Sequence, residues 1–181
     1  MTAEYVVLLD DAGRPAGQAP KAAVHTSATP LHLGFSCYGF DVRNRLLCTR
    51  RAESKLTFPG VWTNTCCGHP MPGEDPEDAV RRRLADELGV TAANLVCALP
   101  EFRYRAEMNG VQENEVCPVY LCRITTQPRL RRDEVAQAYW IPWADYAAKA
   151  LSPGSELSPW SVMQVAELTK SGIVEGFLGQ A

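Results

Sequence analysis

The chain has only three histidines, and each stands where a metal could use it. His25 and His32 lie close together near the N-terminus. His69 falls within the run Thr63-Asn64-Thr65-Cys66-Cys67-Gly68-His69-Pro70. Farther on, Gln112-Glu113-Asn114-Glu115-Val116 offers two carboxylates spaced i, i+2. Three imidazoles and two carboxylates can build a site for a hard-to-borderline divalent cation. Cys67 stands two residues from His69, so the pattern points to an enzyme with a metal and a reactive side chain in one pocket.

Something has to bring these residues together. A strand is expected over 4–9, closed by the turn Asp10-Asp11-Ala12-Gly13, and a second over 31–40. Asp41-Val42-Arg43-Asn44 then turns the chain into Leu46-Leu47-Cys48-Thr49-Arg50 as a hairpin. Lys55 to Gly60 reads as loop, broken by Pro59-Gly60. The clearest helix is Pro76 to Leu88. Pro76 suits a first turn, Glu77 and Asp78 favour the positive end of the dipole, and Gly89 stops it. Ala79, Val80, Leu84 and Leu88 form its apolar stripe. β-rich segments follow near 94–106, 115–124 and 135–141, with Gly110 in the turn between the first two, and helices near 143–150 and 159–170. The expected class is α/β (α+β), with a mixed or antiparallel sheet flanked by helices. Strand–helix alternation is too weak for a doubly wound parallel sheet.

At 181 residues, one domain over 1–181 is expected. A net charge of −3 argues against non-specific nucleic-acid binding. The opening Met1-Thr2-Ala3-Glu4-Tyr5 has no signal-peptide pattern, and no apolar run approaches the ~20 residues of a membrane span. A cytoplasmic protein without membrane or nucleic-acid partners, and a monomer, is the expectation. Seven cysteines, without paired C-x-x-C motifs, read as reduced thiols. Cys37, Cys48, Cys97, Cys117 and Cys122 read as buried small hydrophobes, and Cys66-Cys67 as the exception in its loop.

From Gly68 through Glu74, Arg82, Leu84, Asp86-Glu87 and Gly89-Val90, the spacing resembles the Nudix box, G-x5-E-x7-R-E-U-x-E-E-x-G-U. Two positions depart: Arg83 and Asp86 stand where the box has glutamates. Those glutamates hold the magnesium that drives diphosphate cleavage, so Arg83 weakens a hydrolase reading and leaves room for a diphosphate contact. Across nearly the whole chain, further anchors resemble type 1 isopentenyl-diphosphate isomerases, a Nudix-like family. They are His25-Thr26, Leu31-His32-Leu33, Leu47 to Arg51, Pro59 to Asn64, Cys67 to Pro70, Asp86 to Gly89, Phe102 to Arg105, Glu113 to Pro118 and Ser158-Pro159-Trp160.

The resemblance implies a Nudix-like fold and interconversion of isopentenyl and dimethylallyl diphosphate. A proton adds to an alkene, a tertiary carbocation forms, and a proton leaves the neighbouring carbon. By resemblance Cys67 and Glu115 are the acid/base pair, Tyr104 tunes Glu115, and Trp160 lies over the cation. His25, His32, His69, Glu113 and Glu115 would hold manganese, magnesium or zinc. A second magnesium would bridge the diphosphate, supported by Glu87 and the backbone carbonyl of Cys67. Lys21, Arg51, Lys55 and Arg83 match the diphosphate-binding positions. Taken singly, each residue has a plainer reading: a core histidine, a solvent-facing strand edge, an inert thiol, a packing tryptophan, a wet helix face for Arg81-Arg82-Arg83. Together, those readings would leave an ordered family pattern as coincidence. Two other functions stay open, a Nudix diphosphohydrolase acting on nucleotide-type diphosphates and a non-catalytic metal- or RNA-binding relative.

Overall fold

A computed structural model describes residues 4–180; Met1, Thr2, Ala3 and Ala181 lie outside the described residues, and with them most of the opening segment read for a signal peptide. The elements in order are β1 (Tyr5–Leu9), β2 (Pro15–Pro20), α1 (Lys21–Val24), β3 (His32–Leu33), β4 (Phe35–Phe40), β5 (Arg45–Arg51), β6 (Trp62–Thr63), β7 (Cys66–Gly68), α2 (Pro76–Leu88), β8 (Ala92–Leu99), β9 (Arg103–Met108), β10 (Val111–Val116), β11 (Val119–Ile124), β12 (Val135–Pro142), α3 (Trp143–Leu151), α4 (Pro159–Ser171) and α5 (Ile173–Leu178).

They form two sheets. One runs β2-β1-β3-β10-β9; the other runs β12-β5-β4-β11-β8, with β6 on β5 and β7 on β4. Both are mixed, because β3 pairs parallel with β10 and β4 parallel with β11. The helix α2 forms as its sequence dictates. Asp75 accepts a hydrogen bond from the Glu77 amide, Pro76 opens the first turn, and Gly89 at φ 62° closes it in the left-handed region. Every residue of β4 is buried, since both faces of its sheet are covered. Phe35 and Cys37 pack with Val80, Leu84 and Leu88 of α2. Tyr38 and Phe40 pack on the other side with Trp143, Tyr146, Val165 and Leu168 from α3 and α4.

Several expectations are corrected. Residues 31–40 are not one strand. The segment leaves one sheet after Leu33 and enters the other at Phe35. Its parallel neighbour makes the same change between Val116 and Val119. At the crossing the Gly34 amide donates to the Val116 carbonyl (2.9 Å) and the Ser36 amide to the Pro118 carbonyl (3.0 Å). Pro118 has no amide hydrogen to continue a ladder there. The segment 115–124 is therefore two strands, and 94–106 is two as well. The short elements β2, α1, β6, β7 and α5 were not anticipated. Cys97 is exposed rather than buried, because it lies on β8 at the edge of its sheet. The burial of Arg83 also sets aside, at that position, the plainer reading of Arg81-Arg82-Arg83 as a wet helix face.

Candidate active site and metal centre

Glu113 and Glu115 lie on β10, where residues two apart share a face, and both are buried. Asn114 points the other way and donates to the Thr29 carbonyl (3.2 Å). Together with the Gln112 amide on the Thr26 carbonyl (2.8 Å), this ties the segment after His25 to β10. His32 enters from the neighbouring strand, opposite Glu115 in the register, and His69 follows directly after β7. Ligand atoms of His25, His32, His69 and Glu113 all lie within 4.8 Å of one another. Glu115 Oε1 stands 2.9 Å from His69 Nε2 and 3.5 Å from His32 Nε2.

The donor set fits a divalent cation. At metal–ligand bonds of about 2.1 Å, adjacent ligands of one ion stand about 3.0 Å apart. Here His32 Nε2 and His69 Nε2 are 3.2 Å apart, and His25 Nε2 and Glu113 Oε2 3.1 Å. That second pair is close without hydrogen-bond alignment, and both atoms are buried without a partner, as two atoms aimed at a common third would be. His32 Nδ1 donates to the Pro30 carbonyl (2.9 Å), which turns Nε2 toward the cluster. Burial pulls His69 below its ordinary pKa, which favours the neutral ligand form. Burial alone would raise Glu115, yet its hydrogen bonds to His32 and His69 hold it well below the usual carboxylate range.

Beside this cluster is a cavity of about 470 Å³. Its walls include Cys67, Tyr104, Trp160, Glu113, Glu115, His25 and His69, together with Lys21, Arg51, Lys55 and Arg83. Of the residues singled out in the sequence, only His32 and Glu87 lie off its walls. His32 is fully buried beneath it. Glu87 is ion-paired with Arg83, one turn back on α2, and with Cys67 it lines a smaller recess.

Cys67 is half-buried. Burial pushes its thiol up to about 11, against lowering contacts from Ser36, Arg51 and Asn64, so at neutral pH it carries its proton. Tyr104 lies opposite Glu115 across the β9–β10 ladder; burial and the two carboxylates keep its phenol protonated. The Tyr104 and Trp160 rings are 5.8 Å apart, and Phe58 meets Trp160 edge-on at 5.0 Å.

The four cations are already engaged by the protein. Lys21 pairs with Glu4 at 2.6 Å, Lys55 with Glu134, and Arg83 with Glu87 and, at 3.4 Å, with Glu134. Arg51 donates to the Thr57 and Phe58 carbonyls. Burial opposes ionisation of Glu134, but Lys55 and Arg83 bring its pKa down to about 2. Glu134, Asn64 and Ser36 were not singled out from the sequence. Their partners are far along the chain, and no local pattern marks them.

The NUDIX domain family matches residues 30–161. An isopentenyl-diphosphate Delta-isomerase of Mycolicibacterium vanbaalenii is 58% identical over 173 residues, covering 95% of each chain. The chain belongs to the isopentenyl-diphosphate Delta-isomerases of the NUDIX family. A second relative of that name, from Saccharopolyspora erythraea, is 52% identical over 93% of this chain and 88% of its own. Solved structures bear on the fold alone. A Deinococcus radiodurans protein, 18% identical, superposes with a TM-score of 0.69 over 91% of this chain and 98% of its own. The MutT protein of Methanosarcina mazei, 17% identical, gives 0.63 over 79% and 96%. Family and fold thus agree with the resemblance read from the motifs. Among the described residues, no helix is long and apolar enough to cross a membrane.

Proposed function

We propose that this chain interconverts isopentenyl and dimethylallyl diphosphate, with Cys67 and Glu115 moving the protons. The observation that carries the site reading is one cavity lined by Cys67, by His25, His69, Glu113 and Glu115 of the cluster, and by four cations. A proton adds to the terminal alkene carbon of isopentenyl diphosphate, leaving the tertiary carbon positive. Loss of a proton from the adjacent carbon restores a double bond one position along. Cys67, protonated at neutral pH, and Glu115 divide the two transfers. The ring of Trp160 faces the cation, a contact of about 0.5–2 kcal/mol. The surrounding Phe58 and Tyr104 rings deny water to it.

His25, His32, His69, Glu113 and Glu115 would hold manganese, magnesium or zinc, which when bound supplies a positive charge that sets the proton affinity of Glu115. A magnesium at the diphosphate would draw on Glu87 and the Cys67 carbonyl. Lys21, Arg51, Lys55 and Arg83 would bind the diphosphate, with Lys21, Lys55 and Arg83 exchanging protein carboxylates for phosphate oxygens. The seven unpaired thiols support a reducing cytoplasmic setting. A cavity whose walls draw on residues from Glu4 to Trp160 supports a single domain.

Isopentenyl diphosphate with divalent cation should give dimethylallyl diphosphate and no phosphate. Phosphate release from nucleoside diphosphate derivatives, without isomerisation, would instead favour the hydrolase. The burial of Arg83 in an ion pair with Glu87 speaks against that outcome.

A further inference from the structure

Asn64 is fully buried behind Cys67, and its amide can point only one way. Nδ2 donates to the Cys37 carbonyl (3.0 Å) and the Cys66 carbonyl (2.9 Å). Turning the amide over would set its oxygen against both. Oδ1 therefore faces the opposite side, where Cys67 Sγ donates at 3.2 Å and Trp160 Nε1 at 3.1 Å. The proton carrier and the ring facing the cation, far apart in sequence, thus meet at one atom. We propose that Asn64 is a positioning residue for the isomerisation, fixing Cys67 and Trp160 relative to each other through Oδ1. The inference rests on the roles given to those two residues above.

The competition for Oδ1 gives the arrangement its use. An amide oxygen has two lone pairs, yet Thr63 Oγ1 (2.7 Å) and Ser161 Oγ (3.3 Å) approach it as well. Those hydroxyls have other partners, Ser158 for Thr63 (2.8 Å) and Tyr146 for Ser161 (3.0 Å). The indole N–H can only donate, and it donates here. The thiol is the weakest donor of the set, and Ser36 Oγ also reaches its sulfur at 3.4 Å. Sγ is thereby seated by a weak contact that breaks easily when the thiol turns to the cavity. The ring is held more firmly, and the edge of Phe58 and the Arg51 guanidinium, 5.7 Å above the ring, keep it from tilting.

The test is a double-mutant cycle of Asn64→Ala and Trp160→Phe. Trp160→Phe keeps a ring but removes the N–H. Each single variant should lower kcat about tenfold with KM within about twofold, since misplacement acts on the reacting atoms and not on diphosphate binding. The product of the two single losses should exceed the loss in the double variant by about fivefold or more. Additive losses would overturn the proposal. Should Asn64→Ala fail to fold, Trp160→Phe decides alone, and wild-type kcat in it overturns the proposal. A readout independent of turnover separates this from the functional reading. In 15N-labelled protein, the Trp160 indole N–H resonance should move in Asn64→Ala while those of Trp62, Trp140 and Trp143 stay. An unmoved Trp160 resonance would overturn the anchor even if the enzyme is an isomerase, and a moved one supports it whatever the substrate.

Discussion

The two sets of polar side chains around the cavity are built on opposite plans. In the His/Glu cluster, buried atoms are left without protein partners: His25 Nε2, Glu113 Oε2 and His69 Nδ1. Among the cations, Lys21, Lys55 and Arg83 pair with Glu4, Glu134 and Glu87, and Arg51 is tied to loop carbonyls. Leaving a buried polar atom unpaired costs about 1–3 kcal/mol, so the cluster is organised for a ligand it must receive. Lys21, Lys55 and Arg83 are neutralised in advance and bind an anion by exchanging partners. The first arrangement favours a resident ion, and the second a substrate that comes and goes.

Chelation breaks the comparison most directly. Removing divalent cation should reduce isomerisation to background, with activity restored on adding it back. Full activity in metal-free protein would end the five-ligand reading. Next in size come Cys67→Ala and Glu115→Gln, each expected to lower kcat by about 10²–10⁴-fold with the fold intact. They should differ in metal content: Cys67→Ala keeps its ion on dialysis and Glu115→Gln loses affinity for it. Near wild-type turnover in either variant would remove that residue from the chemistry. Lys55→Met should act through binding, raising KM roughly tenfold with a smaller change in kcat. A fall in kcat alone would remove Lys55 from the proposed diphosphate contacts.

The smallest expected effect concerns stability. Glu134 has its pKa lowered to about 2 from 4.5. A carboxylate depressed in the folded state stabilises above its unfolded pKa and loses that contribution as pH falls through the folded value. Metal-free protein should therefore lose part of its stability between about pH 4.5 and 2, and Glu134→Gln should flatten that slope in denaturant titrations. An unchanged slope would mean that Glu134 does not neutralise Lys55 and Arg83.

What could be read beforehand divides along physical lines. The helix Pro76–Leu88 was legible because a cap, a first-turn proline and a left-handed glycine act within a few residues. Glu113 and Glu115 were legible as a converging pair because strand geometry fixes a period of two. The pairing of Arg83 with Glu87 also lay in plain i, i+4 spacing, although the motif comparison drew Arg83 toward the substrate alone. The crossing at Gly34 was hidden, because nothing in Leu31-His32-Leu33-Gly34-Phe35 says that its two halves choose different neighbours. Strands as short as Trp62–Thr63 carry no periodicity to detect. Asn64 stood only at the end of the anchor Pro59 to Asn64, and its meaning lies in Trp160, 96 positions away.

The crossing has a consequence for how the protein folds. A strand that lies in one sheet can slip by a residue and still form a ladder. Here two neighbouring parallel segments change sheets at the same height, with Gly34 and Ser36 bonded on either side of the change. A slip would have to break the pairings of both sheets together. The register that sets His32 beside Glu115 is therefore also the register that sets Ser36, a contact of Cys67, beside Val119. These contacts close loops of many residues, so their entropy cost falls before any reward arrives. The metal ligands and the support of the cysteine should then appear in the same late folding step, not one after the other.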